Sequence, residues 1–173
     1  MKELNPNIKI IGIDPHGSDL ALPADLNNDK VGYQIEGIGY DFIPQVCDRS
    51  LVDEWIKSSD EPSFPMCRRL IGSEGMLVGG SSGSSMHYAL EYIKKHKIGK
   101  GKRVVVICAD GVRNYMTKFL NADWMNEYGF MSEEEVRKLN ESRLVPSDDL
   151  NKDKKVSDLK LADVQCLTVK STC

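Results

Sequence analysis

The sequence lacks the features of a membrane protein or of an exported protein. No apolar stretch approaches the roughly 18 residues that a membrane-spanning helix needs, and the N-terminal MKELNPNIKI has no hydrophobic signal core. An excess of positive charge is also missing, because the 173 residues carry a formal net charge of −3. We therefore expect a cytoplasmic protein with neither a membrane nor a nucleic acid as its partner.

Paired cysteines and clustered histidines are missing as well. The cysteines form no C-x-x-C pair and their number, five, is odd, which argues against a disulfide scaffold or a zinc site. The three histidines are too scattered to form a metal cluster, so no metal ligand is expected. The residues concerned are Cys47, Cys67, Cys108, Cys166, Cys173, His16, His87 and His96.

The residues that are present predict an α/β fold with a mostly parallel sheet flanked by helices. The β-branched run RVVVICAD, residues 103–110, is typical of a central parallel strand that is buried on both faces. Together with a short strand at 76–78 and the helix between them, it predicts a right-handed βαβ unit. Further strands are predicted at 9–14 and 31–35, whereas residues 51–56 are ambiguous between strand and helix.

Three helical stretches and one charged segment complete the predicted order. A helix at about 63–73 is ended by Gly75. The next helix begins near Met86 and stops at Gly99, and its apolar face is formed by Met86, Ala89, Leu90 and Ile93. Another helical stretch begins at 112–120, and the run Glu133, Glu134 and Glu135 predicts a solvated helix start.

The glycine- and serine-rich stretch LVGGSSGSSM, residues 77–86, is the first candidate for a functional site. It has the G-x-S-x-G form of a nucleophile elbow, but no histidine follows His96 to complete a triad. Its glycines do not match a dinucleotide fingerprint, and the lysine of a P-loop is missing. Two interpretations remain open, namely a loop that offers N–H groups and hydroxyls to an anion or a polar ring atom, and a plain helix cap formed by Ser81 or Ser82.

Four blocks of sequence resemble the cystathionine β-synthase family. The resemblance extends over about residues 8–130, and His16 stands where the family usually has an acidic residue. The VRNYMTKFL motif followed by DWM favours this family over the related cysteine synthases. The blocks are KIIGIDPHGSDLA (9–21), EGIGYDFIP (36–44), SEGMLVGGSSGSS (73–85) and CADGVRNYMTKFLNADWM (108–125).

The resemblance implies a fold-type II enzyme that uses pyridoxal phosphate. Ser81 matches the serine whose hydroxyl meets the pyridine nitrogen of the cofactor, with Gly79 and Gly80 beside it. Gly37 matches the loop along the cofactor, and Gly39 and Tyr40 match the substrate pocket. Asp110, Arg113 and Asn114 are expected either to orient the loop after the preceding strand or to cap a helix. The implied reaction is β-replacement, in which L-serine or cysteine reacts with homocysteine to give cystathionine in cysteine biosynthesis.

The sequence does not contain several of the family's essential motifs. It has no segment like the one that carries the Schiff-base lysine, no GTGGT-like phosphate loop and no haem-binding segment. Lys94, Lys95, Lys97, Lys100 and Lys102 lie beyond the helix, roughly 20 Å from Ser81. We therefore assign no catalytic residue, and we expect this chain alone neither to hold pyridoxal phosphate tightly nor to catalyse.

The same resemblance predicts a division of the chain into three parts. Residues 1–130 match the C-terminal half of a catalytic domain, 131–155 form a charged helix and linker, and 156–173 resemble the beginning of a regulatory, nucleotide-sensing module. We expect a homo-oligomer or an association with a full-length subunit, since exposed sheet edges favour association. Two other functions stay open, a non-catalytic partner of the full-length enzyme and a cysteine synthase-like enzyme.

Overall fold

The computed structural model describes residues 1–143 and shows an α/β fold, as predicted. Residues 1–136 form one compact unit. Among the described residues, no helix is long and apolar enough to cross a membrane. The elements are β1 (Ile11–Pro15), β2 (Glu54–Ser58), α1 (Asp60–Glu74), α2 (Gly80–Lys95), α3 (Ala122–Glu127) and α4 (Glu133–Arg143), with short 3-10 turns at Ala24–Asn27, Arg49–Leu51 and Val112–Tyr115.

The sheet consists of two parallel strands. Strand β1 pairs with β2 in a register that sets Ile11 opposite Glu54 and Pro15 opposite Ser58. The prediction of a strand at 9–14 is therefore confirmed within a residue or two, and the ambiguous stretch before Ser58 forms a strand rather than a helix. Both strands become buried at their carboxyl ends, where parallel strands commonly present their polar groups.

A buried ion pair joins the two strands to the segment that follows β1. The Lys57 ammonium donates to Asp14 Oδ2 at 2.7 Å, to the Ser18 carbonyl at 2.9 Å and to Asn27 Oδ1 at 3.2 Å. The side chains of Lys57 and Asp14 are only 6% and 1% exposed. Asp14 Oδ2 also accepts from the Ala21 amide at 3.2 Å. The ammonium thus has three acceptors, which is the number its three hydrogens can satisfy.

The predicted strand at 31–35 does not form. The amides of Gln34 and Ile35 donate to the carboxylate of Asp60, at 2.5 and 3.3 Å, and not to a neighbouring strand. Asp60 is the first residue of α1, where a carboxylate is favoured by the helix dipole. Burial raises the pKa of Asp60. The Asp60 carboxylate at the start of α1 therefore accepts the hydrogen bonds that the amides of Gln34 and Ile35 would donate to a neighbouring strand in a sheet.

The predicted central strand at 103–110 is wrong for the described residues. Val105 and Ile107 are both 78% exposed, and no described strand lies beside this run. The only pairing is one antiparallel bridge between Val78 and Gly111, so the short strand predicted at 76–78 and the βαβ unit are absent from residues 1–143 as well. β-branched side chains favour extended backbone, but burial requires neighbouring strands that the run cannot supply itself.

Helix α1 ends where the sequence predicted and begins earlier. Gly75 adopts the left-handed conformation, with φ of 67°, and its N–H bonds to the Leu70 carbonyl, as in a glycine-ended helix. The helix begins at Asp60, before the predicted start near Ser63, because Pro62 falls in the first turn, where its missing N–H leaves no bond unmade.

Helix α2 begins at Gly80, about six residues before the predicted start, so the glycine- and serine-rich stretch forms helix and not loop. Residues Gly80 to Ser84 are all buried. The predicted apolar face is only partly buried, and Leu90 is 44% exposed. The helix ends at Lys95, before the predicted stop at Gly99, because Lys97 adopts a positive φ of 51°.

The close approach of α1 and α2 explains why α2 begins with small residues. A Cβ atom on Gly83 would lie 2.3 Å from the Ser63 carbonyl oxygen and 2.6 Å from Cys67 Cβ. One of these contacts is with backbone, so no side-chain movement could relieve it. Small residues are therefore required where α2 crosses α1, even though glycine weakens an isolated helix.

Aromatic side chains pack against one another in the core around this crossing. Phe64 of α1 stacks on Phe119, with ring centroids 5.6 Å apart, and meets Trp124 edge-on at 5.4 Å. The 112–120 stretch that brings Phe119 here is a 3-10 turn followed by irregular turns, and not the predicted longer helical stretch. The buried members of this core cluster are Ile35, Phe64, Cys67, Leu70, Val78, Tyr115, Phe119 and Met125.

We predict that Gly83→Ala lowers the free energy of unfolding by about 1–3 kcal/mol, because the added methyl must push α2 away from the α1 backbone. The matched control is Gly72→Ala in α1, whose added Cβ meets no atom within 4 Å and should leave stability unchanged or raise it by up to about 1 kcal/mol. Urea unfolding of the full chain, followed by circular dichroism, measures both. Equal effects of the two substitutions would contradict the close-contact account.

We also predict that Lys57→Met lowers the free energy of unfolding by about 3–5 kcal/mol, since it leaves the Asp14 carboxylate buried without its cation. The comparison variant is Lys30→Met, which removes a lysine that pairs with Asp19 at the surface and should cost less than about 1 kcal/mol. The same urea titration tests both variants, and a Lys57→Met chain as stable as the Lys30→Met chain would disprove the role assigned to the buried pair.

Candidate functional site

The candidate site is the first turn of α2. Gly79 is the N-cap residue and carries no side chain that could cap the helix. The interpretation of Ser81 or Ser82 as a plain helix cap is therefore wrong, because both serines lie inside the helix. This turn packs closely against α1, since a Cβ atom on Gly80 would lie 3.0 Å from the Phe64 ring.

Several polar atoms at this turn have no protein partner among residues 1–143. Ser82 Oγ and Ser84 Oγ are buried without a hydrogen bond. No hydrogen bond is found for the Ser81 hydroxyl within the described part of the chain, and Ser81 is 6% exposed. Buried hydroxyls normally have partners, and the first N–H groups of a helix have none within the helix. The turn can therefore supply N–H groups and the Ser81 hydroxyl to a bound group, whereas Ser82 and Ser84 are fully enclosed.

Asp110 lies directly against Gly79. A Cβ atom on Gly79 would come 1.9 Å from Asp110 Oδ1, and this oxygen is buried without a hydrogen-bond partner among the described residues. The Gly79 amide donates to the Asp110 carbonyl at 3.0 Å. Glycine is thus the only residue that fits between the α2 turn and this carboxylate.

Tyr115 fixes the other oxygen of that carboxylate. Its hydroxyl donates to Asp110 Oδ2, and this hydrogen bond, aided by burial, raises the pKa of Tyr115 to about 12. Tyr115 lies five residues after Asp110 in the same block, but no sequence pattern marks it as a site residue. Arg113 and Asn114, which were expected to orient the loop or to cap a helix, are exposed, and no side chain caps the 3-10 turn that contains them.

Cys67 supports the turn from the side of α1. Its thiol lies 3.2 Å from the Gly79 carbonyl and 3.3 Å from the Val78 carbonyl, in position to donate to both. The residue is fully buried, and burial raises the pKa of the thiol to about 12. At neutral pH the group is a protonated donor and not a nucleophile. The sequence pattern bears only on disulfide or metal partners for the cysteines and does not reveal that Cys67 donates to the carbonyls before α2.

The second predicted part of the site, with Gly37, Gly39 and Tyr40, is a loop with two left-handed glycines. Gly37 and Gly39 have φ of 83° and 80°. The loop is held at Tyr40, whose amide donates to Ser18 Oγ at 3.0 Å and whose carbonyl accepts from Asp19 at 2.8 Å. The Tyr40 side chain is 48% exposed, so the backbone is fixed while the ring remains accessible.

Glu36 connects this loop with the α2 turn. Its carboxylate pairs with the Lys118 ammonium, and both side chains line a small cavity together with Gly80 and Tyr115. The cavity has a volume of about 10 Å³, close to the space of one water molecule. The structure therefore brings the start of the loop to Gly80, whereas Gly39 packs on Pro15, with its Cβ position 2.6 Å from that ring.

Lys118 lies beside the α2 turn, where it is paired with Glu36, whereas Lys95 and Lys57 lie elsewhere. Lys95, at the end of α2, is fourteen residues from Ser81, or about 21 Å along the helix. Lys57 is engaged in the buried ion pair. Within residues 1–143 no group of three or more histidine, cysteine or acidic side chains could hold a metal ion.

Comparisons with known proteins agree with the motifs. The sequence model for the family described as "Pyridoxal-phosphate dependent enzyme" matches residues 1–110. The chain is 58% identical over 134 residues to cystathionine β-synthase of Dictyostelium discoideum, and 54% identical over 135 residues to that of Mus musculus. These matches cover 78% of the chain but only 26% and 24% of the relatives. The chain thus spans about a quarter of the length of these relatives.

More distant relatives share the same fold. A cysteine synthase of Helicobacter pylori is 36% identical over 119 residues, covering 68% of the chain and 36% of that protein. The crystal structure of an O-acetylserine dependent cystathionine β-synthase from Helicobacter pylori matches with a TM-score of 0.58 and 34% identity, over 68% of the chain and 36% of that structure.

The burial of Cys67 leads to a prediction about its reactivity. In the native chain we expect iodoacetamide to modify Cys67 at least about tenfold more slowly than Cys108, which is exposed, because a buried thiol with a pKa of about 12 offers almost no thiolate. Mass spectrometry of tryptic peptides reports each cysteine separately, and unfolding in urea should remove the difference. Equal labelling in the native chain would show that α1 does not shield the thiol.

Proposed function

Since the chain belongs to the family of pyridoxal-phosphate dependent enzymes, we propose that it forms one wall of a cystathionine β-synthase active site. The proposed reaction is the β-replacement in which L-serine or cysteine reacts with homocysteine to give cystathionine. The observation that supports it best is the first turn of α2, where Gly79 lies against the Asp110 carboxylate and Gly80 against Phe64 of α1, and where the Ser81 hydroxyl has no partner among the described residues.

The residues at this turn fit the ring edge of pyridoxal phosphate. The Ser81 hydroxyl would face the pyridine nitrogen, while Gly79 and Gly80 would let a flat ring approach the backbone closely. Ser81 keeps 6% of its surface exposed, so its hydroxyl is the one in this turn that a bound ring could reach, whereas Ser82 is fully enclosed. When bound, pyridoxal phosphate supplies the electron sink on which the chemistry of the substrate α-carbon depends.

The side chain at position 81 would influence whether the pyridine nitrogen of bound pyridoxal phosphate carries a proton. The Ser81 hydroxyl can donate to the pyridine nitrogen and carries no negative charge, so it would leave that nitrogen unprotonated. A carboxylate in the same place would hold the proton on the nitrogen and make the ring a stronger electron sink. The proposed preference for β-replacement over racemisation or transamination therefore depends on the neutral side chain of Ser81.

We assign the substrate side to the loop with Gly37, Gly39 and Tyr40. Ser18 and Asp19 hold the backbone at Tyr40, and the ring is half exposed, so it is available to an amino-acid substrate. Glu36 and Lys118 join the beginning of the loop to the segment after Asp110. This connection would keep the substrate loop beside the cofactor wall.

The exposed β-branched run at 103–109 supports a second candidate function, association with a full-length enzyme subunit. Val104, Val105 and Ile107 are exposed, and an uncovered extended run favours pairing with another chain. Co-expression of the chain with the full-length enzyme tests this function. Recovery of both proteins in one complex, lost when Val105 and Ile107 are replaced by lysine, would support it, and separate elution would exclude it.

A chimera tests the proposed active-site wall without requiring the rest of this protein's sequence. In the Dictyostelium discoideum enzyme, the 134 matched residues are replaced by those of this chain. We expect the chimera to bind pyridoxal phosphate and form cystathionine, and the 173-residue chain alone to do neither. Ser81→Ala should weaken cofactor binding in the chimera about tenfold, the effect of losing one hydrogen bond to a charged or strongly polar group.

The matched control is Ser73→Ala, an exposed serine near the end of α1, which should leave cofactor binding and turnover unchanged. Cofactor binding is followed by its absorbance and turnover by cystathionine formation. A chimera that folds but binds no cofactor would refute the proposed wall. A chimera that binds cofactor equally well with Ser81 or alanine would refute the role of Ser81 alone.

A further inference from the structure

A second cavity lies on the other half of α2, away from the candidate cofactor wall. It has a volume of about 300 Å³ and is lined by Ile56 of β2 and by Tyr88, Glu91, Tyr92 and Lys95 of α2. Tyr88 is about 10 Å along the helix from Ser81, and Lys95 is about 21 Å away. The volume is at the lower end of the range for small-molecule sites.

The two tyrosines are held in place by their hydroxyl groups. Tyr88 Oη accepts the Ser59 amide at 2.9 Å. The Tyr92 hydroxyl donates to Glu54 Oε2 at 3.0 Å, and its ring stacks on His96 with centroids 4.1 Å apart. Both rings are therefore fixed before any ligand arrives, which reduces the entropy lost on binding.

Two side chains of opposite charge, Glu91 and Lys95, line the cavity at its rim. Glu91 and Lys95 are one helical turn apart on α2, so their side chains emerge on the same face. Both are exposed, and neither forms an ion pair or hydrogen bond within residues 1–143. A rim with one free carboxylate and one free ammonium above aromatic walls is complementary to a small zwitterion with an apolar side chain.

We propose that this cavity binds a free α-amino acid with an aromatic or large apolar side chain. The side chain would lie against Tyr88, Tyr92 and Ile56, the α-ammonium group would pair with Glu91, and the α-carboxylate would pair with Lys95. Tyr88 offers such a side chain contact area with edge or face geometry. Tyr92 is 9% exposed and its ring already contacts His96 and the Lys9 ammonium, so it contributes only the small part of the ring that is exposed. The site is independent of the proposed catalytic function and can be tested on the 173-residue chain.

The test is a titration of the ¹⁵N-labelled full chain with L-phenylalanine, followed by amide chemical shifts. We expect saturable shifts centred on Ile56 and on Tyr88 to Lys95, with a Kd of a few millimolar, the affinity typical of a ligand of this size with ordinary contacts. Lys95→Met should weaken binding of L-phenylalanine about fivefold, the upper effect of an exposed ion pair, and leave binding of phenethylamine, which has no carboxylate, unchanged.

Glu91→Gln should give the converse result, weakening binding of L-phenylalanine and of phenethylamine but not of phenylacetate. The matched control is Lys94→Met, which removes the same charge from a neighbouring exposed residue outside the cavity and should change nothing. The proposal is overturned if no saturable shift occurs at these amides, or if Lys95→Met and Lys94→Met act alike. Shifts at the same amides on dilution without ligand would assign this face to self-association and would also overturn it.

Discussion

The contact between α1 and α2 at Gly83 is the constraint on which the candidate site depends. Because a Cβ atom there would lie 2.3 Å from the Ser63 carbonyl, α2 can rest against α1 only if its first turns carry small residues. That contact places the Gly79 carbonyl 3.2 Å from the Cys67 thiol and sets the α2 turn beside Asp110. The glycines and serines that were predicted to form a loop are therefore the buried start of a helix.

The rest of the compact unit holds this wall in place through polar groups at element ends. Lys57 joins both strands to the segment after β1, and Asp60 at the start of α1 holds the amides of Gln34 and Ile35. Glu36 follows directly and pairs with Lys118. One short path of ionic and hydrogen-bonded contacts thus runs from the beginning of α1 to the segment after Asp110, with the α2 turn beside it.

Sequence reasoning succeeded where a local signal decides the structure. Gly75 ended α1 because a left-handed residue needs no tertiary support, and the strand before Pro15 was clear from its apolar run. It failed where partners distant in sequence decide. The 103–110 run lacks a described neighbouring strand, and the amides at 34–35 donate to Asp60 instead of to a strand. Helix α2 begins about six residues before its predicted start, because α1 requires small residues where the two helices cross. The role of Cys67 also depends on a contact that no sequence pattern reveals.

The same limit of sequence patterns applies to the candidate site. The glycine- and serine-rich pattern pointed to residues 77–86, the family resemblance selected Gly79, Gly80 and Ser81 within it, and the structure places the three at the start of α2. The sequence pattern could not show that Asp110 lies against Gly79, because that contact joins segments about 30 residues apart. The hydrogen bond from Tyr115 to Asp110 joins residues only five apart, but it depends on the turn that the chain makes between them. The division of the chain into catalytic, linker and regulatory parts stays a prediction, and its last part, 156–173, lies outside the described residues.

The central claim is that the α2 turn presents a neutral hydroxyl, from Ser81, to the pyridine nitrogen of pyridoxal phosphate. The most direct measurement is the ¹⁵N chemical shift of ring-labelled cofactor bound to the Dictyostelium chimera that carries this chain's segment. The account predicts the shift of an unprotonated pyridine nitrogen, moving toward that of a protonated ring in the Ser81→Asp variant. A protonated nitrogen in the unsubstituted chimera, or a shift that ignores the substitution, would contradict it.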